Sequence, residues 1–192
     1  MRYNVPYSTV DKVVKKAKDV FDVRKMRVGK PYLLLADDEN SPAKYMIYEP
    51  SPFRYVLYDL TGETDVKIVE QEVDIAMKAN SGTVTSSLWN AVVGNGMSYE
   101  IAAKMEAALA WQVDFHHIQK EDCFKLIYEE QYIDGKAVGI GNIQAAYFKN
   151  GDKEFNAFYF EDEKYTGFFD EEGRPMKKAF LKSPVNFARI SS

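Results

Sequence analysis

Imidazole is the first side chain to consider for metal or acid–base chemistry, and this chain has only two, the neighbours His116 and His117. A hydrolytic zinc site needs three protein ligands and an open position. Adjacent side chains diverge on a helix and on a strand, so this pair does not chelate one ion. Neither HExxH nor CxxC occurs, and a satisfied surface or core histidine is the reading that the spacing supports. The single cysteine, Cys123, lies between Asp122 and Phe124. Acidic and apolar neighbours raise a thiol pKa, whereas a nucleophilic cysteine wants an electropositive setting. No G-x-S-x-G elbow is present. Gly139-Ile140-Gly141 begins like a dinucleotide loop, but Asn142-Ile143-Gln144 replaces the x-x-G continuation, and the stretch is β-rich.

The acidic groups Glu161-Asp162-Glu163 and Asp170-Glu171-Glu172 lack the spaced D-x-[DN]-x-[DN]-G pattern of a calcium loop. Solvated turns between strands explain both. Tyr45, Tyr48, Tyr55, Tyr58, Tyr128 and Tyr132 would suit a glycan groove, because aromatic rings stack on sugar faces. Strand propensity and core packing account for the same residues. The residues themselves therefore assign no catalytic, cofactor-binding or metal position in this chain.

The elements that would position any site come in two groups. Ser8, with Asp11 three residues on, reads as a helix N-cap, and Val10, Val13, Val14, Ala17, Val20 and Phe21 recur at helical spacing up to Val28-Gly29-Lys30-Pro31. Strands are expected at Tyr32–Leu35, Lys44–Tyr48 and Arg54–Asp59, with Pro50 and Pro52 in a loop between the last two. After the turn Thr61-Gly62-Glu63-Thr64, strand pattern resumes from Val66 to Ala79. Two helices follow. One is capped by Thr85, Ser86 or Ser87 and closes at Gly94-Asn95-Gly96; the other is capped by Ser98 and buries Ile101, Ala102, Met105, Ala108 and Leu109. From Asp122 the pattern is β, with hairpin turns at Asp134-Gly135 and Asn150-Gly151 and a further turn at Glu171-Glu172-Gly173 before Phe180, Val185 and Phe187.

With 192 residues, 14% of them aromatic, the chain is expected to fold as α+β with more strand than helix, in two domains of residues 1–71 and 72–192. The net charge of -4 lacks the basic footprint of a nucleic-acid partner. The run Lys12, Lys15, Lys16 and Lys18 alternates with Asp11, Asp19 and Asp22 and reads as a solvated helix face. No apolar run reaches eighteen residues and no signal peptide opens the chain. Either the protein is cytoplasmic or its export signal lies outside this stretch.

An ordered series of landmarks places the second half more sharply. It runs through Ser81-Gly82-Thr83-Val84, Ser87-Leu88-Trp89, Ala110-Trp111-Gln112-Val113-Asp114-Phe115, Asp122-Cys123-Phe124 and Leu126-Ile127-Tyr128-Glu129-Glu130. It continues with Ile143-Gln144-Ala145-Ala146, Tyr165-Thr166-Gly167-Phe168-Phe169-Asp170 and the ending K-K-A-F-L-x-x-P-V-x-F-x-R-I-S-S from Lys177 to Ser192. Over about residues 72 to 192 this resembles the non-catalytic domain that precedes the catalytic domain in LytM-type, lysostaphin-like zinc metallopeptidases, the murein DD-endopeptidases. The first half resembles, more loosely, the LysM-like domain upstream in the same proteins, through the helix Val10–Phe21 and the link Met26-Arg27-Val28-Gly29-Lys30-Pro31-Tyr32. The usual G-D-T-L-like opening is missing, so this domain is expected to be incomplete at its N-terminus.

The resemblance implies a partial LysM-like α/β domain followed by a helical hairpin and an antiparallel β-hairpin domain. In that family R-I-S-S leads into the peptidase domain, whose zinc ligands come from H-x-x-x-D and a later H-x-H. Neither motif occurs here, so no catalytic or metal residue is carried over, and zinc is expected in a downstream catalytic domain. The implied function is regulation and positioning: a periplasmic region that covers the catalytic groove of a peptidase domain in cis. Peptidoglycan glycan strands are the other implied partner, and a standalone adaptor of a wall hydrolase is a further alternative.

Overall fold

A computed structural model describes residues 4–176 and the two-residue strand Phe180–Leu181. The expected features at Val185 and Phe187 and most of the R-I-S-S ending lie outside the described residues. The chain divides into two compact units, Met1–Asp74 with Ile133–Val138, and Ile75–Tyr132 with Gly139–Ser192. Both combine helices with antiparallel sheet, as the α+β expectation requires.

The first unit sets one helix, α1 (Tyr7–Ala17), with a four-stranded meander of β1 (Tyr32–Leu35), β2 (Tyr45–Ser51), β3 (Arg54–Asp59) and β4 (Asp65–Glu70), in that spatial order. The expected cap at Ser8 is wrong: Ser8 lies inside α1, and the capping position is Pro6, in extended conformation and without a side-chain bond. Proline carries its ring and a fixed φ where the first turn needs no N–H. Its carbonyl accepts from Thr9 at 3.0 Å and Val10 at 3.2 Å. The helix also stops at Ala17, short of Phe21, and a single 3-10 turn, Val23–Lys25, follows.

Pro50 is not in a loop either. It lies within β2, where the register with β3 shifts between Tyr48 and Ser51, so the missing proline donor falls at an irregularity in the ladder. Val13, Ala17, Tyr48, Val56, Tyr58 and Val66 form the core. Lys16 is not a purely solvated helix charge: its Nζ donates to the carbonyls of Glu63, at 2.8 Å, and Thr64, tying α1 to the turn before β4.

The second unit carries a six-stranded antiparallel sheet in the order β10-β9-β8-β7-β6-β5, from β5 (Asp74–Thr83), β6 (Cys123–Ile133), β7 (Lys136–Asn150), β8 (Lys153–Glu161), β9 (Tyr165–Phe169) and β10 (Phe180–Leu181). The helices α2 (Leu88–Gly94) and α3 (Tyr99–Leu109) cover one face. The five positions expected on the inner side of α3 are the five that are buried. They meet Phe124, Leu126, Tyr128, Ile143 and Phe148 of the sheet in one cluster. Ser87 caps α2 by accepting from the Asn90 N–H at 3.2 Å, whereas the Ser98 hydroxyl makes no capping bond.

Asp134 and Gly135 both have positive φ, 50° and 73°, the pattern of a type I′ hairpin turn. The next hairpin turns one residue later than the Asn-Gly signal suggested. Asn150 pairs with Lys153, leaving Gly151 (φ 60°) and Asp152 as the two central residues, a type II′ arrangement with glycine first.

Candidate functional site

The residues with chemical potential are held apart. Asp114 organises the turn containing both histidines: its carboxylate accepts the His116 N–H at 3.0 Å and lies 2.7 Å from Nδ1 of His117. The His117 contact helps to hold the Asp114 carboxyl below its ordinary value. Cys123 opens β6 half-buried and is a free thiol. Gly139-Ile140-Gly141 runs within strand β7, with the Glu129 side chain occupying the space where a Cβ on Gly141 would sit. Among the described residues no group of three His, Cys, Asp or Glu side chains could hold a metal ion.

Both acidic clusters serve turns. Asp162 accepts the N–H groups of Lys164 and Tyr165 at 2.8 and 2.6 Å. Asp170 accepts the backbone N–H of Arg174 at 2.9 Å and its Nε at 2.7 Å. Three of the six tyrosines are buried. Tyr48 and Tyr58 are buried in the first unit and Tyr128 in the second, so strand packing accounts for these three.

The surface nevertheless has concave features. In the first unit, a groove of about 400 Å³ is walled by apolar side chains including Val10, Val13, Leu34 and Leu60. A second groove there, of about 500 Å³, collects Arg24, Lys25, Arg27 and Arg54 around Phe21, Met26, Tyr48 and Pro50. This cluster escaped the sequence reading. Its available signal was the run Arg24-Lys25-Met26-Arg27 in an otherwise acidic chain. In the second unit, a groove of about 380 Å³ runs along Ala110–His116 beside Glu106, with Trp111 63% exposed at its wall.

The fold is thus that of a two-unit α+β chain whose second unit couples a helical hairpin to a long antiparallel sheet. Residues 72–192 match the family described as Csd3 second domain, and the chain belongs to that family. It is similar to the peptidoglycan DD-endopeptidase ShyC of Vibrio cholerae serotype O1, with 38% identity over 133 residues, covering 69% of this chain and 29% of that protein. An uncharacterized metalloprotease of Haemophilus influenzae is 23% identical over 158 residues, covering 81% of this chain and 33% of that protein.

Two crystal structures share the fold. A zinc-containing peptidase from Vibrio cholerae superposes with a TM-score of 0.68 at 24% identity, covering 96% of this chain and 56% of that one. Csd3 of Helicobacter pylori, in its hexagonal crystal, gives 0.65 at 17% identity, covering 99% of this chain and 52% of that one. The chain spans about a third of the length of these curated relatives and about half of these solved chains. The resemblance to the N-terminal region of LytM-type peptidases is borne out.

Proposed function

We propose that this chain is the non-catalytic regulatory and positioning region of an exported peptidoglycan zinc metalloendopeptidase, restraining access to a catalytic groove supplied downstream in cis. The observation that carries this reading is the family match over residues 72–192, together with 38% identity to 29% of a DD-endopeptidase. In this reading residues 1–71 are a LysM-like domain, residues 72–192 are the domain that precedes the peptidase, and no residue of either is catalytic. Zinc belongs to the downstream domain, and the assembly works in the periplasm. Covering a groove requires shape and a few polar contacts, with no reactive centre. Release on wall or partner binding is a shift between closed and open populations. The test is to add this chain to an isolated catalytic domain of a relative and follow muropeptide cleavage. Slower cleavage is expected; an unchanged rate at high excess would sink the inhibitory reading.

A second reading, a peptidoglycan-binding module, is favoured by Trp111. The residue is 63% exposed beside a groove that also presents Glu106 and Asp114. Sugars offer an apolar face for stacking and hydroxyls for carboxylate acceptors. Pelleting with purified sacculi, lost in Trp111→Ala, is the expected result. A chain that stays in the supernatant would remove this reading and leave the inhibitory one intact.

A further inference from the structure

The basic groove of the first unit runs against the charge of the whole chain. Arg24, Lys25, Arg27 and Arg54 line one concavity of about 500 Å³, while the chain carries a formal charge of -4. Two of the four cations have partial compensation. Arg24 is held by Asp22, with Nη2 2.5 Å and Nε 2.9 Å from Oδ2, and Arg54 reaches only to 4.0 Å from Glu70. Arg27 makes no ion pair among the described residues, and Lys25 makes no close one, although its charge helps to hold the Asp22 carboxyl down. Chain geometry places them. Val23–Lys25 is a 3-10 turn, and the extended Met26-Arg27 that follows is fixed where the Arg27 N–H donates to the Tyr48 hydroxyl at 2.8 Å. Between the cations, the lining is Phe21, Met26, Tyr48 and Pro50, with Ser51 as the one uncharged polar side chain among those of the groove besides the Tyr48 hydroxyl.

We infer that this groove is a binding site for a short acidic peptide segment, with an apolar side chain seated against Phe21, Met26 and Tyr48 and flanking carboxylates on Lys25, Arg27 and Arg54. Guanidinium groups offer carboxylates a planar, bidentate fork, and Arg27, with no counter-charge in contact among the described residues, gives the site its electrostatic driving force together with Lys25 and Arg54. Concavity argues against a flat bilayer. The acidic balance of the rest of the chain disfavours a long polyanion, whose flanks would extend beyond the groove. A few carboxylates around one apolar group match both the rim and the lining. The inference is independent of the regulatory reading.

The experiment uses the whole chain and a short fluorescein-labelled peptide alternating glutamate and leucine, followed by fluorescence anisotropy. Saturable binding is expected. It should weaken by about tenfold or more in the double variant Lys25→Glu/Arg27→Glu, the scale of losing one or two charge-assisted contacts. Rising salt should weaken it, as should replacement of the peptide's glutamates by glutamine, whereas Lys153→Glu in the second unit should leave it unchanged. Arg27 has no ion pair to lose and Lys25 only a solvent-screened attraction to Asp22, so the melting temperature of the double variant should change little. If reversal of both charges does disturb folding, the milder Arg27→Gln decides by the same affinity loss. Binding that ignores these substitutions overturns the site. So does a probe that never saturates, equal competition by inorganic phosphate, or binding to phosphatidylglycerol vesicles without binding to the peptide.

Discussion

The carboxylate of Asp122 accepts the backbone N–H of Gly151 at 2.8 Å, joining the residue before β6 to the turn between β7 and β8 across 29 positions of sequence. The same side chain, in a residue 3% exposed, also takes the Gln119 N–H at 2.6 Å and Nδ2 of Asn150 at 2.6 Å. Replacement by alanine would leave these donors unsatisfied inside the protein. Asp122→Ala should therefore cost about 3 kcal/mol, read as a lower urea midpoint with an unchanged slope. A cost below about 1 kcal/mol would mean that water replaces the carboxylate.

Acid should attack the same joint. Burial alone would raise the Asp122 carboxyl, but the N–H groups of Gln119 and Gly151 and the Asn150 amide outweigh it, and the net position is below the ordinary 3.8. A folded-state pKa below the unfolded one gives stability that is present above about pH 4 and lost as pH falls through the folded value. Asp22, held by the Arg24 side chain, is pushed down to about 2 and works in the same direction. Carboxyl titration by NMR should find both groups below 3.8, and Asp122→Asn should flatten the acid limb of the stability curve.

Two glycines should respond to alanine with opposite signs. A Cβ on Gly141 would lie 2.8 Å from the Cβ of Glu129 and against its Oε2. The Glu129 carboxylate is itself held there, accepting from the Asn142 N–H at 2.8 Å and Gln144 Nε2 at 2.7 Å. Gly141→Ala should cost about 2 kcal/mol. A Cβ on Gly94, at the end of α2, meets nothing, and Gly94→Ala should gain about 0.5 kcal/mol from the lower entropy of the unfolded chain. Thermal melts of the two variants, shifted to opposite sides of the parent, would check both.

Tyr58 is a buried residue whose hydroxyl has no hydrogen-bond partner among the described residues, and desolvation pushes it up to about 12. Tyr58→Phe should be neutral or stabilising by about 1 kcal/mol, since it removes a hydroxyl that folding desolvates without compensation. For a phenol whose folded pKa lies above the unfolded value near 10, the contribution is intact below pH 10 and disappears as pH rises toward 12. Alkaline unfolding of the parent should therefore be less pronounced in Tyr58→Phe. A destabilised variant would place an unseen partner on the hydroxyl.

The serine caps separate by the same reasoning. Ser87→Ala should cost about 1 kcal/mol because the hydroxyl satisfies the Asn90 N–H, while Ser98→Ala, with no such bond, should cost a few tenths. Equal losses in a pair of chemical melts would refute the distinction.

Local pattern determined much of this protein. The α+β class, strands β1 and β3, the five inward positions of α3 and the turn at Asp134-Gly135 follow from periods of 2 and 3.6 and from turn chemistry, which depend on near neighbours alone. The ordered landmarks of the second half likewise carried the family. Tertiary structure decided the rest. Ser8 has the right chemistry for a cap, but α1 begins beyond Pro6; two local start signals compete here, and the folded helix settles between them. Pro50 stays in a strand because the ladder with β3 is irregular at that point. Lys16 looked solvated until the fold brought the carbonyls of Glu63 and Thr64 to it. The basic groove needs Arg54, on β3, to fold back beside Arg24, Lys25 and Arg27. Such partners are distant in sequence, and only the packed chain brings their charges into one field.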